Sequence, residues 1–395
     1  MISRKAQAIS PSATLAIDSK FKSMKANGED VVGFGAGEPD FDTPKHIKEA
    51  AIEAINTGKT KYTPAAGTLE LRRTIAEKFK RENNLDYAPT DIVVSNGAKH
   101  SLVNTFMAIC NPGDEVIIPA PFWVSYPEMV KLADGVPVIV NASEENDFKV
   151  TAKQLRAAVT DKTRAIIINS PSNPTGMVYT REELKDIADL AVEKNLYVVS
   201  DEIYEHLIYE GQRASIASFN EKIKDLTIIV NGVSKTYAMT GWRIGYTASN
   251  GDIAKVMANI QSHATSNPNS IAQAAAVAAL EGGLECVEEM KKHFLERRNY
   301  MVEKINSLNG VSCKNPHGAF YVMMNISGLI GKEYYGTVIN TSDDFAQLFL
   351  EIAGVAVVPG TGFAAPEYVR WSYATSMENV REGLCRLEKF LNNEY

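Results

Sequence analysis

Short apolar runs rich in β-branched residues alternate with helical periodicity from about residue 91 to residue 249: IVVS, EVIIPA, VPVIV, AIIINS, YVVSDE, LTIIVN and RIGYTAS. Runs that are apolar at nearly every position suit strands covered on both faces, and their alternation with helices favours parallel pairing. The stretch therefore predicts one large α/β domain with a mostly parallel sheet flanked by helices. No Pro/Gly/Ser-rich linker, repeat or low-complexity tract divides it. After the loop TSNPNS, IAQAAAVAALEGG and LECVEEMKKHFLERRNYMVEKINSL read as helices, the second long enough to bridge to another domain. Beyond it, AFYVMMNI, VAVVPG and VRWSYA are strand candidates around helical DDFAQLFLEI and ENVREGLCRLEKFL, which together make a smaller α/β unit.

The length of 395 residues agrees with two unequal domains, since one hydrophobic core rarely serves so long a chain. Forty-one basic against 48 acidic residues give a net charge of -7, with no basic block to follow a phosphate backbone, so nucleic acid is not an expected partner. Cys110, Cys286, Cys313 and Cys385 are scattered, without CxxC or Cys/His grouping; they predict reduced, mostly buried thiols and neither a disulfide framework nor a metal site. The start has too short an apolar stretch for a signal peptide, and no later run reaches membrane-span length. A cytoplasmic protein with no membrane partner is expected.

Chemistry concentrates where strands end, the place at which open α/β sheets bind ligands. YVVS runs into Asp201, Glu202, Ile203 and Tyr204; AIIINS runs into PSNPTG, whose turn presents Asn173; LTIIVNG leads to Ser234, Lys235 and Arg243. IVVS passes through Ser95, Asn96, Gly97 and Ala98 into a helix, a start at which free N–H groups can meet an anion. EVIIPA leads to Trp123. Singly, each has an ordinary explanation: a capping acid, a common turn, a snorkelling lysine, a core tryptophan. Together they supply an amine, an anion site, a buried carboxylate, polar donors and an aromatic face, the set that pyridoxal 5'-phosphate requires.

Through GAGEPDFDTP, KYTPAAGTLELR, SNGAKHSL, PFWVSYPEM, NSPSNPTG, VSDEIYEHLIY, VSKTYAMTGWRIGY, GAFYVM, GVAVVPG and VRWSYATS, the whole chain resembles the fold-type I, class I pyridoxal-phosphate-dependent aminotransferases, in their bacterial aspartate (beta) subgroup. The resemblance implies a large domain over 45–280 and a small domain formed by 1–44, the N-terminal arm, with 281–395. It also implies that Lys235 carries the cofactor aldehyde, that Asp201 pairs with the pyridine nitrogen, and that Asn173 and Tyr204 contact the phenolic oxygen. Ser234, Arg243 and the backbone of Gly97, Ala98 and Lys99 would hold the phosphate, with Trp123 stacked on the ring. Tyr62 would reach the phosphate of a neighbouring subunit, making a homodimer with shared sites. Arg370 would bind the substrate α-carboxylate as a fork, with Gly37 offering backbone contact and Asn173 and Trp123 flanking the substrate.

For the distal carboxylate, the arginine of the animal-type aspartate enzymes is absent, Ser262 and His263 standing nearby. The subgroup instead uses a lysine, which maps to Lys99, and Ser12 would assist. Some relatives that also accept prephenate carry a basic residue where this chain has Ser10. The expected reaction is L-aspartate + 2-oxoglutarate to oxaloacetate + L-glutamate, in ping-pong steps with the cofactor alternating between aldehyde and amine forms. Alternatives are an aminotransferase for aromatic, alanine-like or prephenate substrates, a β-eliminating relative, a non-enzymatic regulator or binding protein, or a silent homologue. The intact Lys235, Asp201, Arg243 and Arg370 speak against the last.

Overall fold

The structure is a computed structural model that describes residues 2–11 and 13–395, the side chains of 13–16 and 18 excepted. Ser12 lies outside the described residues.

All seven apolar runs between 91 and 249 are strands of one sheet: β1 Ile92–Ser95, β2 Glu115–Ala120, β3 Val136–Asn141, β4 Thr163–Asn169, β5 Tyr197–Asp201, β6 Thr227–Gly232 and β7 Gly245–Ala248. Their order is β1-β7-β6-β5-β4-β2-β3, and only β7 runs against its neighbours, so the sheet is mostly parallel as expected. The apolar runs are what burial on both faces requires: every residue of β1, β6 and β7 is buried. Burial of each Ile or Val side chain contributes about 1.5–3 kcal/mol, which the polar turn residues at the strand ends do not share. Register then decides what those ends bring together. Asn169 pairs with Asp201, and Asp201 with Val230, so the exits of β4, β5 and β6 open at one edge.

The smaller unit has a four-stranded antiparallel sheet in the order Val358–Pro359, Tyr368–Ser372, Tyr321–Asn325, Ser312–Cys313. The run VAVVPG, expected as one strand, is two. Val355–Ala356 pairs in parallel with Val32–Gly33 of the N-terminal segment, and Val358–Pro359 pairs with Tyr368–Ser372. The break at Val357 lets one apolar run serve two sheets. Helix Glu285–Asn306 runs from one core into the other: Val287 belongs to the core that holds Leu71 and Ile75, whereas Phe294, Met301 and Ile305 belong to the one that holds Phe320, Trp371 and Phe390.

Two connections tie the units on the outer side. Glu144 accepts hydrogen bonds from the Tyr368 hydroxyl and the Asn325 amide, both at 2.9 Å, and Lys314 pairs with Asp147 at 3.3 Å. The short helix Arg4–Gln7 lies against the large unit, with Lys5 on Asp134 at 2.7 Å. The thiols depart from expectation: Cys313 is buried, Cys110 and Cys286 are half-buried and Cys385 is exposed on the outer face of the last helix. Among the described residues no single helix is long and apolar enough to cross a membrane.

Candidate active site

A cavity of about 500 Å³ opens where the strand exits meet the N-terminal segment and the smaller unit, and its volume suits a small cofactor with substrate. It is lined by Gly37, Ala98, Lys99, Trp123, Asn173, Asp201, Tyr204, Ser234, Lys235, Arg243 and Arg370, so nearly all the residues singled out from sequence converge there.

At the β5 exit Asp201 is buried. Tyr126 donates its hydroxyl to Asp201 Oδ2 at 2.7 Å, and the Ile203 N–H donates to Oδ1 at 3.2 Å. Burial outweighs both bonds and the nearby Lys235 charge, pushing the carboxyl up to about 6. One strand over, Lys235 Nζ donates to the Gly37 carbonyl at 2.5 Å. Its amine is brought down to about 8, chiefly by burial and further by Arg243 and Arg370, against the opposing pull of Glu38 and Asp201. A raised acid and a lowered amine in one cavity mark it as the candidate functional site.

The β1 exit shows why its residues are small. Gly97 adopts φ +86° ahead of helix Ala98–Ile109, and a Cβ there would collide with the Arg243 guanidinium. A Cβ on Gly245 of β7 would strike the backbone of Gly97 and Ala98. Arg243 donates to the carbonyls of Thr240 at 2.9 Å and Asn96 at 3.3 Å, which holds its cation beside the helix start. Ser234 is buried on the same wall.

Arg370, in strand Tyr368–Ser372, is buried and enters the cavity from the smaller unit. It donates to Asn173 Oδ1 and to the Gly35 carbonyl, both at 2.9 Å, and among the described residues its Nε has no partner. No carboxylate pairs with it among the described residues. Asn173 is itself aimed by Asn169, whose Oδ1 accepts the Asn173 N–H at 2.8 Å. Lys99 sits over the Trp123 ring, 4.7 Å from its centroid, and desolvation together with Arg243 lowers its pKa. Tyr62 lies outside its own chain's cavity and is 92% exposed.

Sequence reasoning passes over several lining residues: Tyr126, Asn169, Tyr321, Glu38 and Thr240. Tyr126 and Tyr321 stand inside PFWVSYPEM and GAFYVM, and Asn169 ends a predicted strand, so position was legible although partners were not. Thr240 donates to Glu38 at 2.7 Å, tying the segment that holds Gly37 to the loop after Lys235.

The chain is similar to known proteins over its full length. A protein of Bacillus sp. (strain YM-2) named aspartate aminotransferase is 51% identical over 392 residues, 99% of each chain. The crystal structure of the aspartate aminotransferase from Rhizobium meliloti superposes with a TM-score of 0.96 at 42% identity, covering 100% of this chain and 99% of that one. That of the Thermus thermophilus enzyme with maleate gives 0.94 at 46%, covering 99% of each. The pattern of the family described as Aminotransferase class I and II matches residues 29–387. With that match, this identity and the geometry of the cavity, the chain belongs to the class I and II aminotransferases.

Proposed function

We propose that the chain is a pyridoxal 5'-phosphate-dependent aminotransferase that takes aspartate as donor and 2-oxoglutarate as acceptor. The observation that carries the reading is Arg370, a buried guanidinium without a carboxylate partner among the described residues, facing the same cavity as Lys235 and Asp201. A buried cation is costly unless an anion meets it, and a planar fork suits a carboxylate.

The residues fit the cofactor at both ends. The crowded Gly97 turn, the helix start at Ala98, Ser234 and Arg243 form an anion cradle, while Asp201 offers a buried carboxylate to the ring nitrogen. Trp123 supplies an aromatic wall, and Asn173 and Tyr204 supply polar groups for the phenolic oxygen. When bound, pyridoxal phosphate provides an aldehyde for amines, a sink for the electron pair left at the substrate α-carbon, and a carrier for the amino group.

The chain's own groups do the rest. Arg370 holds the α-carboxylate and so fixes which bond at the α-carbon faces Lys235. Lys235, once its amine is free, would take the α-proton onto Nζ and pass it to the carbon that bore the cofactor's aldehyde rather than back to the α-carbon, a task suited to an amine near 8. Asp201 keeps positive charge at the ring nitrogen, where the carboxylate's burial makes the attraction strong. Lys99, parked on a neutral aromatic face, meets the distal carboxylate. The exposed Tyr62 reaches a second copy's phosphate site in a homodimer.

The test is a half-reaction in which cofactor-loaded protein is mixed with single amino acids and the chromophore followed. Fast conversion by aspartate and glutamate, with slow conversion by alanine and phenylalanine, supports the assignment. Preference for a neutral donor would move the substrate, and no conversion by any amino acid would sink the reading.

A further inference from the structure

Tyr321 has no part in the scheme above, yet it touches both ends of it. Its side chain is fully buried in strand Tyr321–Asn325 and lines the cavity. Its hydroxyl lies 3.0 Å from that of Tyr204, within hydrogen-bond reach, and either can donate. The Arg370 guanidinium carbon stands 4.4 Å from the centroid of the Tyr321 ring, in cation–π contact. A Cβ at Gly37 would come within 3.1 Å of the Tyr321 hydroxyl, so the phenol also abuts the segment that receives the Lys235 amine.

We infer that Tyr321 is a positioning residue that couples carboxylate capture at Arg370 to the hydrogen bond Tyr204 makes with the cofactor's phenolic oxygen. The inference rests on the reading of Arg370 and Tyr204 given above. A cation over the Tyr321 ring draws electron density from the phenol and makes its O–H a better donor. Donating to Tyr204, Tyr321 occupies a lone pair of that oxygen and leaves the Tyr204 proton directed at the cofactor. Two hydroxyls in series polarise one another, so the chain strengthens as a unit. Burial raises both phenols above their ordinary range, which keeps both protons available as donors, while Arg370 opposes the rise at Tyr321. When a substrate carboxylate neutralises Arg370, the polarisation relaxes and the bond at the phenolic oxygen weakens. Binding at one end of the site thereby changes proton affinity at the other, and by linkage the reverse also holds.

The experiment is a spectrophotometric pH titration of the cofactor-loaded protein, with and without succinate, for the wild type, Tyr321→Phe, Tyr204→Phe and the double variant. Tyr321→Phe keeps the ring under Arg370 and removes only the hydroxyl, so the fold is retained. A donor on the phenolic oxygen draws off charge that would otherwise hold the titrating proton, so weakening it raises the chromophore's midpoint. The expected result is a rise of roughly half a unit to one unit in Tyr321→Phe, the scale of one neutral hydrogen bond. A larger rise is expected in Tyr204→Phe, no further rise in the double variant, and a smaller succinate-induced shift in Tyr321→Phe than in the wild type. An unmoved midpoint in Tyr321→Phe beside a moved one in Tyr204→Phe overturns the inference and leaves the assigned role of Tyr204 standing, and so do additive shifts in the double variant. An unmoved midpoint in Tyr204→Phe removes that role and the inference with it.

Discussion

Arg370 Nη1 donates to Asn173 Oδ1 across 2.9 Å, joining a strand of the smaller unit to the turn that leaves β4 of the large one. The residue that would read the substrate's carboxylate is thus aligned by the residue that would read the cofactor. Replacing Arg370 by Lys keeps the charge and removes the fork. Since a charged hydrogen bond is worth about 1.5–3 kcal/mol, kcat/KM for amino acids should fall by roughly 10- to 150-fold. The chromophore should persist in this variant. Steady-state kinetics beside an absorbance spectrum checks both statements, and an unchanged kcat/KM would remove Arg370 from carboxylate binding.

Asp201 faces a harder test, because its burial gives the charge much of its worth. At an effective dielectric near 20, opposite charges about 4 Å apart attract by roughly 4 kcal/mol, or about a thousandfold in rate. Asp201→Asn should therefore lose most turnover and hold cofactor weakly by equilibrium dialysis. Near-normal turnover would refute the ring-nitrogen role.

Lys99 is poised over Trp123, and among the described residues no carboxylate pairs with it. Lys99→Ala should cost about 10- to 150-fold in kcat/KM with aspartate and glutamate, and leave alanine within a few fold, if the side chain meets only the distal carboxylate. Equal losses for both substrate types would place Lys99 elsewhere in the reaction.

The depressed Lys235 gives a pH dependence with a definite sign. Only the neutral amine attacks an aldehyde, so the rate at which cofactor-free protein captures pyridoxal phosphate should climb with pH and level off above about 8. Stopped-flow absorbance measures it. A rate that keeps climbing steeply beyond pH 9, as it would for an ordinary lysine, would contradict the lowered pKa.

Behind the site lies a buried ionic cluster. Lys78 of helix Leu69–Asn83 bonds Glu205, Glu82 bonds His206 at 2.9 Å, and Arg213 stands 3.4 and 3.5 Å from the two carboxylates. Burial works to raise both acids, but His206 and Lys78 hold Glu82 at about 2, and Lys78, His206 and Arg213 hold Glu205 low as well. Their folded pKa values lie below the unfolded value of about 4.3, so this stability is complete above that pH and lost as pH falls toward 2. Lys78→Ala should cost about 3–5 kcal/mol in denaturant titration at pH 7, because it leaves buried carboxylates short of a cation. A loss under about 1 kcal/mol would show that the cluster relaxes into water.

The large sheet was legible because residues buried on both faces are mostly apolar, which leaves a plain mark in Ala165–Ile168 of β4 and Ile228–Val230 of β6. The site was legible because polar residues at the ends of such runs have few other places to go. What escaped is what arises between distant segments. Nothing near Lys78 announces Glu205, 127 positions away, and nothing near Tyr321 announces the Tyr204 hydroxyl. The break in VAVVPG likewise follows from Val32–Gly33, which sequence alone cannot bring alongside. The burial of the thiols was misjudged for a related reason: whether Cys385 faces in or out depends on which stripe of its helix the core takes.

Helix Glu285–Asn306 is rooted at Val287 in one core and ends among residues of the other. At about 1.5 Å per residue its 22 residues form a rod roughly 33 Å long. A tilt of about 5° at the rooted end swings the far end by roughly 3 Å, the length of one hydrogen bond. Such a lever can make or release a contact like that between Arg370 and Asn173 with no internal bond of the helix disturbed.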